Sequence, residues 1–74
     1  MRPRGARADA ETNEALYLIK NVGILRATYQ VRLLAHLAEV TGRQLVLCVP
    51  EPCTFDRTLL ALARASGRLV RKNL

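Results

Sequence analysis

The two cysteines are the strongest candidate nucleophiles in the chain, and they lie five positions apart as Cys48 and Cys53. Cys53 comes just before a predicted helix, and a helix N-terminus favours the reactive thiolate form of a cysteine. The spacing matches neither a Cys-x-x-Cys redox pair nor a Cys-x5-Arg phosphate loop. Because unpaired cysteines are among the most buried residues, we interpret Cys48 as a core residue and Cys53 as a turn residue. A thiol-dependent enzyme or redox sensor that uses Cys53 is the alternative.

A metal site would need more ligands than the chain offers. Structural zinc sites take four nitrogen or sulfur ligands, and the sequence contains two cysteines and one histidine, His36. His36 also lies on the polar side of a predicted helix, away from the strand that holds Cys48. We therefore expect no metal and no cofactor.

The acidic residues do not form a pair that is typical of general acid–base catalysis. Open α/β sheets bind ligands at the loop that follows a parallel strand, and here residues 50–54 read Pro-Glu-Pro-Cys-Thr. This loop has none of the glycines that let a backbone approach a phosphate group. Apart from the alternative at Cys53, the sequence predicts no catalytic residue.

The chain is basic, with a formal net charge of +6. A basic surface attracts nucleic acid and acidic proteins, although it can also be no more than a solvated surface. The aromatic platforms of single-strand binding proteins are missing, because Tyr17, Tyr29 and Phe55 each suit a core position. The candidate nucleic-acid-binding residues are Arg43, Arg68, Arg71 and Lys72.

The length of 74 residues allows a single domain. Half of the residues are hydrophobic, which argues against disorder over the whole chain. Residues 1–13 lack periodicity and predict a disordered basic arm, so residues 14–74 form the single small α/β domain. No apolar run is long enough to span a membrane, and no secretory signal is present. We therefore expect a cytoplasmic protein.

Four segments predict the three strands and the first helix of this domain. Residues 15–20 and 44–49 are short apolar runs typical of strands, and residues 68–74 predict a third, charged strand at an edge. Apolar residues recur every four positions within residues 24–41 and predict a long amphipathic helix. Its apolar stripe consists of Leu25, Tyr29, Leu33 and Leu37, with Leu34 and Ala38 beside them.

A second helix is predicted between the proline-rich loop and the last strand. Thr54 is the expected N-cap, and Asp56 suits the positive end of the helix. Gly42 and Gly67 suit the left-handed position that ends each of the two helices. The inner stripe of the second helix consists of Phe55, Leu59 and Leu62, and its outer stripe of Arg57 and Arg64.

Together these elements predict an α/β fold with a three-stranded parallel sheet, in the order β-α-β-α-β. Right-handed crossovers place both helices on one face of the sheet. Residues 44–49 are apolar without alternation, which indicates a central strand covered on both faces. A second copy of the chain, or another protein, would cover the bare face. The predicted interface residues are Gln30, Leu34, Val46 and Cys48.

These features predict a small non-enzymatic interaction module. It would form a homodimer or dock to a protein partner through an apolar sheet or helix face. Contact with nucleic acid through the basic surface is a further expectation.

Overall fold

The computed structural model describes residues 7–74; the first six residues of the predicted arm lie outside the described part. Six strands and two helices follow one another within residues 7–74. They are β1 (Ala10–Glu11), β2 (Ala15–Ile19), β3 (Ile24–Leu25), α1 (Tyr29–Thr41), β4 (Gln44–Val49), β5 (Thr54–Phe55), α2 (Arg57–Ser66) and β6 (Leu69–Asn73).

The main sheet has four strands in the order β1-β2-β4-β6. Strands β2, β4 and β6 run parallel, in the predicted order and with β4 in the centre. The prediction of a three-stranded, purely parallel sheet is nevertheless wrong, because β1 adds an antiparallel edge strand beside β2. This strand lies inside the arm that the sequence predicted to be disordered, and two residues are too few to show a periodicity.

A tight turn holds β1 against β2. The backbone N–H groups of Glu14 and Ala15 both donate to the hydroxyl of Thr12, at 3.1 and 3.0 Å. The N–H of Thr12 donates in return to the carbonyl of Ala15 at 2.8 Å. A threonine side chain that accepts from backbone groups two and three residues later stabilises a turn. Here the turn brings β1 into register with β2.

A second, two-stranded sheet joins the loops that follow β2 and β4. Ile24 and Leu25 pair in parallel with Thr54 and Phe55. The sequence assigned residues 24–28 to the long helix, but α1 begins only at Tyr29. The pairing explains the difference, because the backbone of these residues bonds to another loop instead of forming a first helical turn.

Helix α1 is capped at both ends by side-chain and backbone groups. The hydroxyl of Thr28 accepts from the N–H of Val31, and Gly42 ends the helix with a φ of 70°, as predicted. The buried face is rotated from the predicted stripe, because Tyr29 is 66% exposed while the helix buries other side chains. Those are Val31, Leu34, Ala35 and Ala38.

Helix α2 begins and ends close to its predicted limits. Its N-cap is Asp56 and not Thr54, because Thr54 is part of β5. Gly67 ends the helix with a φ of 68°. Leu59 is fully buried, while Arg57 and Arg64 are exposed as predicted. Within residues 7–74, no helix has the length and apolar character needed to cross a membrane.

The main core lies between the sheet and the two helices. It unites the inward side chains of β2 and β4 with the buried faces of α1 and α2, while a smaller cluster on the other side of the sheet contains strand residues alone. Both helices therefore cover the same face, as the sequence predicted. The inward strand residues are Leu16, Leu18, Leu45, Leu47 and Val49.

We predict that replacing Gly42 or Gly67 by alanine destabilises the fold. No atom would lie within 4 Å of the new Cβ at either position, so the cost comes from the left-handed backbone and amounts to about 1 kcal/mol. Urea unfolding of Gly42→Ala and Gly67→Ala measures it. Gly23→Ala is the matched control, because that site is equally open and has no positive φ; an equal loss there would contradict the explanation.

Candidate interaction surface

The face of the main sheet opposite the helices is covered by no other element among residues 7–74, and most of its residues are apolar. The pairing register places alternate residues of β2, β4 and β6 on this face. We call it the open face. Its residues are Ala15, Tyr17, Ile19, Gln44, Val46, Cys48, Val70 and Lys72.

The centre of the open face is shielded by its own neighbours. Val46 and Cys48 are each 7% exposed, because they pack with Ala15 and Tyr17 in one cluster. The apolar run of β4 is thus largely buried within a single chain, although we expected from the sequence that a second chain would cover this side of the strand. The exposed apolar side chains stand instead on the flanking strands.

Ile19 on β2 and Val70 on β6 are those exposed side chains. Ile19 is 51% exposed and Val70 36% exposed. Neither was among the predicted interface residues. The signal that could have found Val70 is the alternation along the last strand, where Val70 and Lys72 share one face and Leu69 and Arg71 the other. Lys72 is the one charged residue of the open face.

The two predicted interface residues on α1 lie elsewhere. Leu34 is fully buried in the main core, so its side chain does not reach the surface. Gln30 is half-buried and donates from Nε2 to the carbonyl of Arg7 at 3.3 Å. This bond supplies the partner that a partly buried amide needs, and it ties the segment before β1 to the start of α1.

The four predicted nucleic-acid-binding residues divide into two pairs. Arg43 and Arg68 lie together at the end of the sheet where β4 and β6 begin. The guanidinium of Arg68 donates to the backbone carbonyl of Arg43 at 3.5 Å. The Arg43 side chain is only 16% exposed and forms an ion pair with Glu11 at 3.1 Å. Arg71 and Lys72 lie toward the other end of β6, so the four cations do not form one continuous patch.

Arg71 is held by contacts within the chain. Its guanidinium donates to the carbonyls of Pro50 and Glu51, at 3.1 and 2.8 Å, and to the side chain of Asn73 at 3.1 Å. It also lies over the ring of Phe55, 5.4 Å from the centroid. A guanidinium can satisfy several acceptors at once, and here it connects the edge strand β6 to the loop between β4 and β5.

The loop after β4 is the place where an open α/β sheet would hold a ligand. Cys53 in this loop is 2% exposed and belongs to the main core. It precedes the N-cap Asp56 by three residues, so it does not lie at the helix N-terminus. Its burial offers no support for a reactive thiol. Residues 7–74 contain no group of three side chains that could hold a metal ion.

Asp56 is the described residue whose pKa departs most clearly from its ordinary value. The hydroxyl of Thr58 donates to its Oδ1 at 2.6 Å, and the N–H of Leu59 donates to the same oxygen at 3.0 Å. These bonds, the first of them above all, hold the pKa of the Asp56 carboxyl below its ordinary value of 3.8. The carboxylate is thereby kept charged at the N-terminus of α2, where the helix dipole favours a negative charge.

Two shallow grooves between α1 and α2, of about 210 and 280 Å³, share Arg32 and Leu62 in their walls. His36, Glu39 and Ser66 line the smaller one. His36 therefore lies on the helix side of the sheet and Cys48 on the other side. The structure does not bring these two side chains together.

We predict that Asp56 contributes to stability in a pH-dependent way. Because its folded pKa is depressed, the contribution is complete above the unfolded pKa of about 3.9 and disappears as the pH falls through the lower, folded pKa. Asp56→Asn keeps an acceptor for the Leu59 N–H but cannot titrate. The urea midpoint of the wild type should exceed that of Asp56→Asn above pH 5, and the difference should shrink as the pH falls below the unfolded pKa toward the folded pKa. A difference that is constant with pH would contradict this assignment, while Asp56→Ala should have the lower urea midpoint at every pH.

We predict that Arg71→Lys loosens the loop after β4. Lysine keeps the charge but cannot span two carbonyls and an amide, so the free energy of unfolding should fall by about 1 kcal/mol. The control is Arg57→Lys, an equivalent change at an exposed residue of α2. Equal stability of the two variants would show that the Arg71 contacts contribute nothing.

No protein-family model matches the chain, and comparison with the curated proteins and with the solved structures found no match either.

Proposed function

We propose that the protein is a small non-enzymatic interaction module that self-associates through the open face of its main sheet. The observation that carries the proposal is the one-sided arrangement of the layers. Both helices pack on one face, and on the other face Ile19 and Val70 expose apolar side chains at the two sides of a buried apolar centre.

The distribution of charge favours a second copy of the chain as the occupant. The chain carries a net charge of +6, which opposes contact between most parts of two copies. Among the residues of the open face only Lys72 is charged, so two copies that meet there bring few like charges together. Stacked sheets pack about 10 Å apart with their side chains interdigitated, and the apolar residues on β2 and β6 fit that arrangement.

The size of the face determines how strong the association can be. Three parallel strands about 4.8 Å apart, each rising about 3.3 Å per residue over five residues, present about 250 Å² in projection. A standard stable interface buries about 800 Å² on each partner. We therefore expect a weak dimer whose population depends on protein concentration.

The other functions predicted from the sequence have no comparable support. A thiol enzyme would need access to Cys53, which is 2% exposed. Nucleic-acid binding stays a prediction that rests on the net charge. The cytoplasmic location likewise remains part of the proposal and rests on composition.

We predict that Ile19→Lys abolishes the dimer. A lysine at this position places a cation opposite the open face of the other copy. Light scattering during size exclusion should give a wild-type mass that rises from 8.2 kDa toward twice that value as concentration increases. High salt should strengthen the dimer, because it screens the repulsion between two basic chains.

Leu60→Lys is the matched control for this experiment. Leu60 is an isomeric side chain with a similar exposure, 48% against 51% for Ile19, and it lies on α2 in the other layer. This variant should dimerise like the wild type. A wild-type chain that stays monomeric at millimolar concentration would contradict self-association, and equal loss in both variants would place the interface elsewhere.

A further inference from the structure

The outer edge of β6 is an unpaired strand edge in the part of the chain that the structure describes. The N–H of Leu45 donates to the carbonyl of Arg68, and the N–H of Leu74 donates to the carbonyl of Val49. Because backbone groups alternate in direction along a strand, Val70 and Lys72 also bond toward β4. The N–H and C=O groups of the intervening residues point away from the sheet. These residues are Leu69, Arg71 and Asn73.

The charged residues on β6 and immediately before it are all positive. From Arg57 to Leu74 the chain contains five cationic residues and no acidic residue. Three of them, Arg68, Arg71 and Lys72, lie on or next to β6 itself, and β6 is mostly exposed. The two edges of the sheet therefore differ in charge. The acidic residues Asp9, Glu11 and Glu14 lie on or next to β1, at the edge opposite β6.

These charges decide which strand can pair with β6. A second copy of β6 would bring cations opposite cations, and like charges on directly opposed residues destabilise strand pairing. Basic residues on an edge strand therefore prevent self-pairing. A strand with acidic side chains would instead form favourable cross-strand pairs, each contributing a few tenths of a kcal/mol to about 1 kcal/mol.

The backbone of the edge favours a peptide over a nucleic acid. The edge presents carbonyl acceptors in alternation with N–H donors, and an extended peptide satisfies both kinds of group. A phosphate backbone can only accept hydrogen bonds, so the outward carbonyls would remain unpaired. The single-stranded nucleic acids that bind proteins also stack on exposed aromatic rings, and Phe55, the aromatic ring nearest Arg71, is already covered by that guanidinium.

We propose that the edge of β6 binds an extended acidic segment of another protein by strand addition. The segment becomes a fifth strand of the main sheet. It exchanges backbone hydrogen bonds with Leu69, Arg71 and Asn73, and its carboxylates pair with Arg68 and Lys72. The hydrogen bonds of this site use the outward backbone edge of β6, which is not part of the open face, although the Lys72 side chain belongs to both. The proposal does not depend on self-association.

The test uses a fluorescently labelled peptide with the sequence Thr-Glu-Val-Glu-Val-Glu-Thr, added to the Ile19→Lys variant so that dimer formation does not interfere. Fluorescence anisotropy measures affinity, and amide hydrogen exchange by NMR measures the mode of binding. We expect saturable binding and new protection at the outward amides of Leu69, Arg71 and Asn73. The same peptide with lysine in place of glutamate should bind at least tenfold more weakly.

Charge-reversal variants show whether the edge is the site. Lys72→Glu changes an exposed residue of β6 and should weaken binding of the acidic peptide at least tenfold. Arg57→Glu makes the same change in net charge at an exposed residue of α2 and should alter the affinity less than twofold. Retained cooperative unfolding of both variants in urea shows that the fold is intact.

Several results would overturn the proposal. Binding without protection of the outward amides would indicate a loose electrostatic contact and not strand addition. Preferential binding of a ten-nucleotide poly-dT strand would identify the basic surface as a nucleic-acid site. Protection of the same amides without peptide, rising with protein concentration, would show that a second copy occupies the edge. Absence of a wild-type dimer would contradict the proposed function but not this proposal, because strand addition uses the backbone edge of β6 and not the packing of two open faces.

Discussion

The burial of β4 on both of its faces is the constraint on which the rest of the structure depends. Its inward residues Leu45, Leu47 and Val49 are fully buried beneath the helices, and its outward residues Val46 and Cys48 are each 7% exposed. A strand buried in this way needs partners at both edges and covers above and below. Strands β2 and β6 pair with the two edges of β4. Helices α1 and α2 cover its inward side chains, and Tyr17 and Ala15 shield most of its outward side chains.

This arrangement explains why a chain of this size has such unequal surfaces. Two short helices can cover one face of a sheet, and the chain has no further element among residues 7–74 to cover the other. On the open face, the apolar side chains that remain exposed, Ile19 and Val70, therefore lie on the strands that flank β4. Packing both helices on one face completes the core and leaves the open face, with Lys72 as its one charged residue, without a second layer.

The two edges of the main sheet differ from each other. At one side, β1 and its Thr12 turn close the edge of β2, and the Arg43–Glu11 ion pair joins that turn to the end of α1. At the other side, β6 is kept in place by the Arg71 contacts with the loop after β4 but its outward backbone stays free. The positive charges that discourage pairing with an identical strand are those that would select an acidic one.

The sequence by itself determined the elements whose signal is local. The strand at residues 44–49, the two helix-ending glycines and the placement of both helices on one face follow from periodicity, backbone preference and crossover handedness. Tertiary structure alone decided the features that depend on contacts between distant residues. Strand β1 and the β3–β5 pair are only two residues long and exist because another segment bonds to them. The β3–β5 pairing occupies residues that the sequence assigned to the starts of both helices, so that Asp56 and not Thr54 is the N-cap of α2. The exposure of Tyr29, which the sequence placed in the apolar stripe of α1, was likewise decided by tertiary packing. The exposure of Ile19 and Val70 belongs to the same class, because it depends on which neighbours flank a residue in the sheet and not on the residue itself.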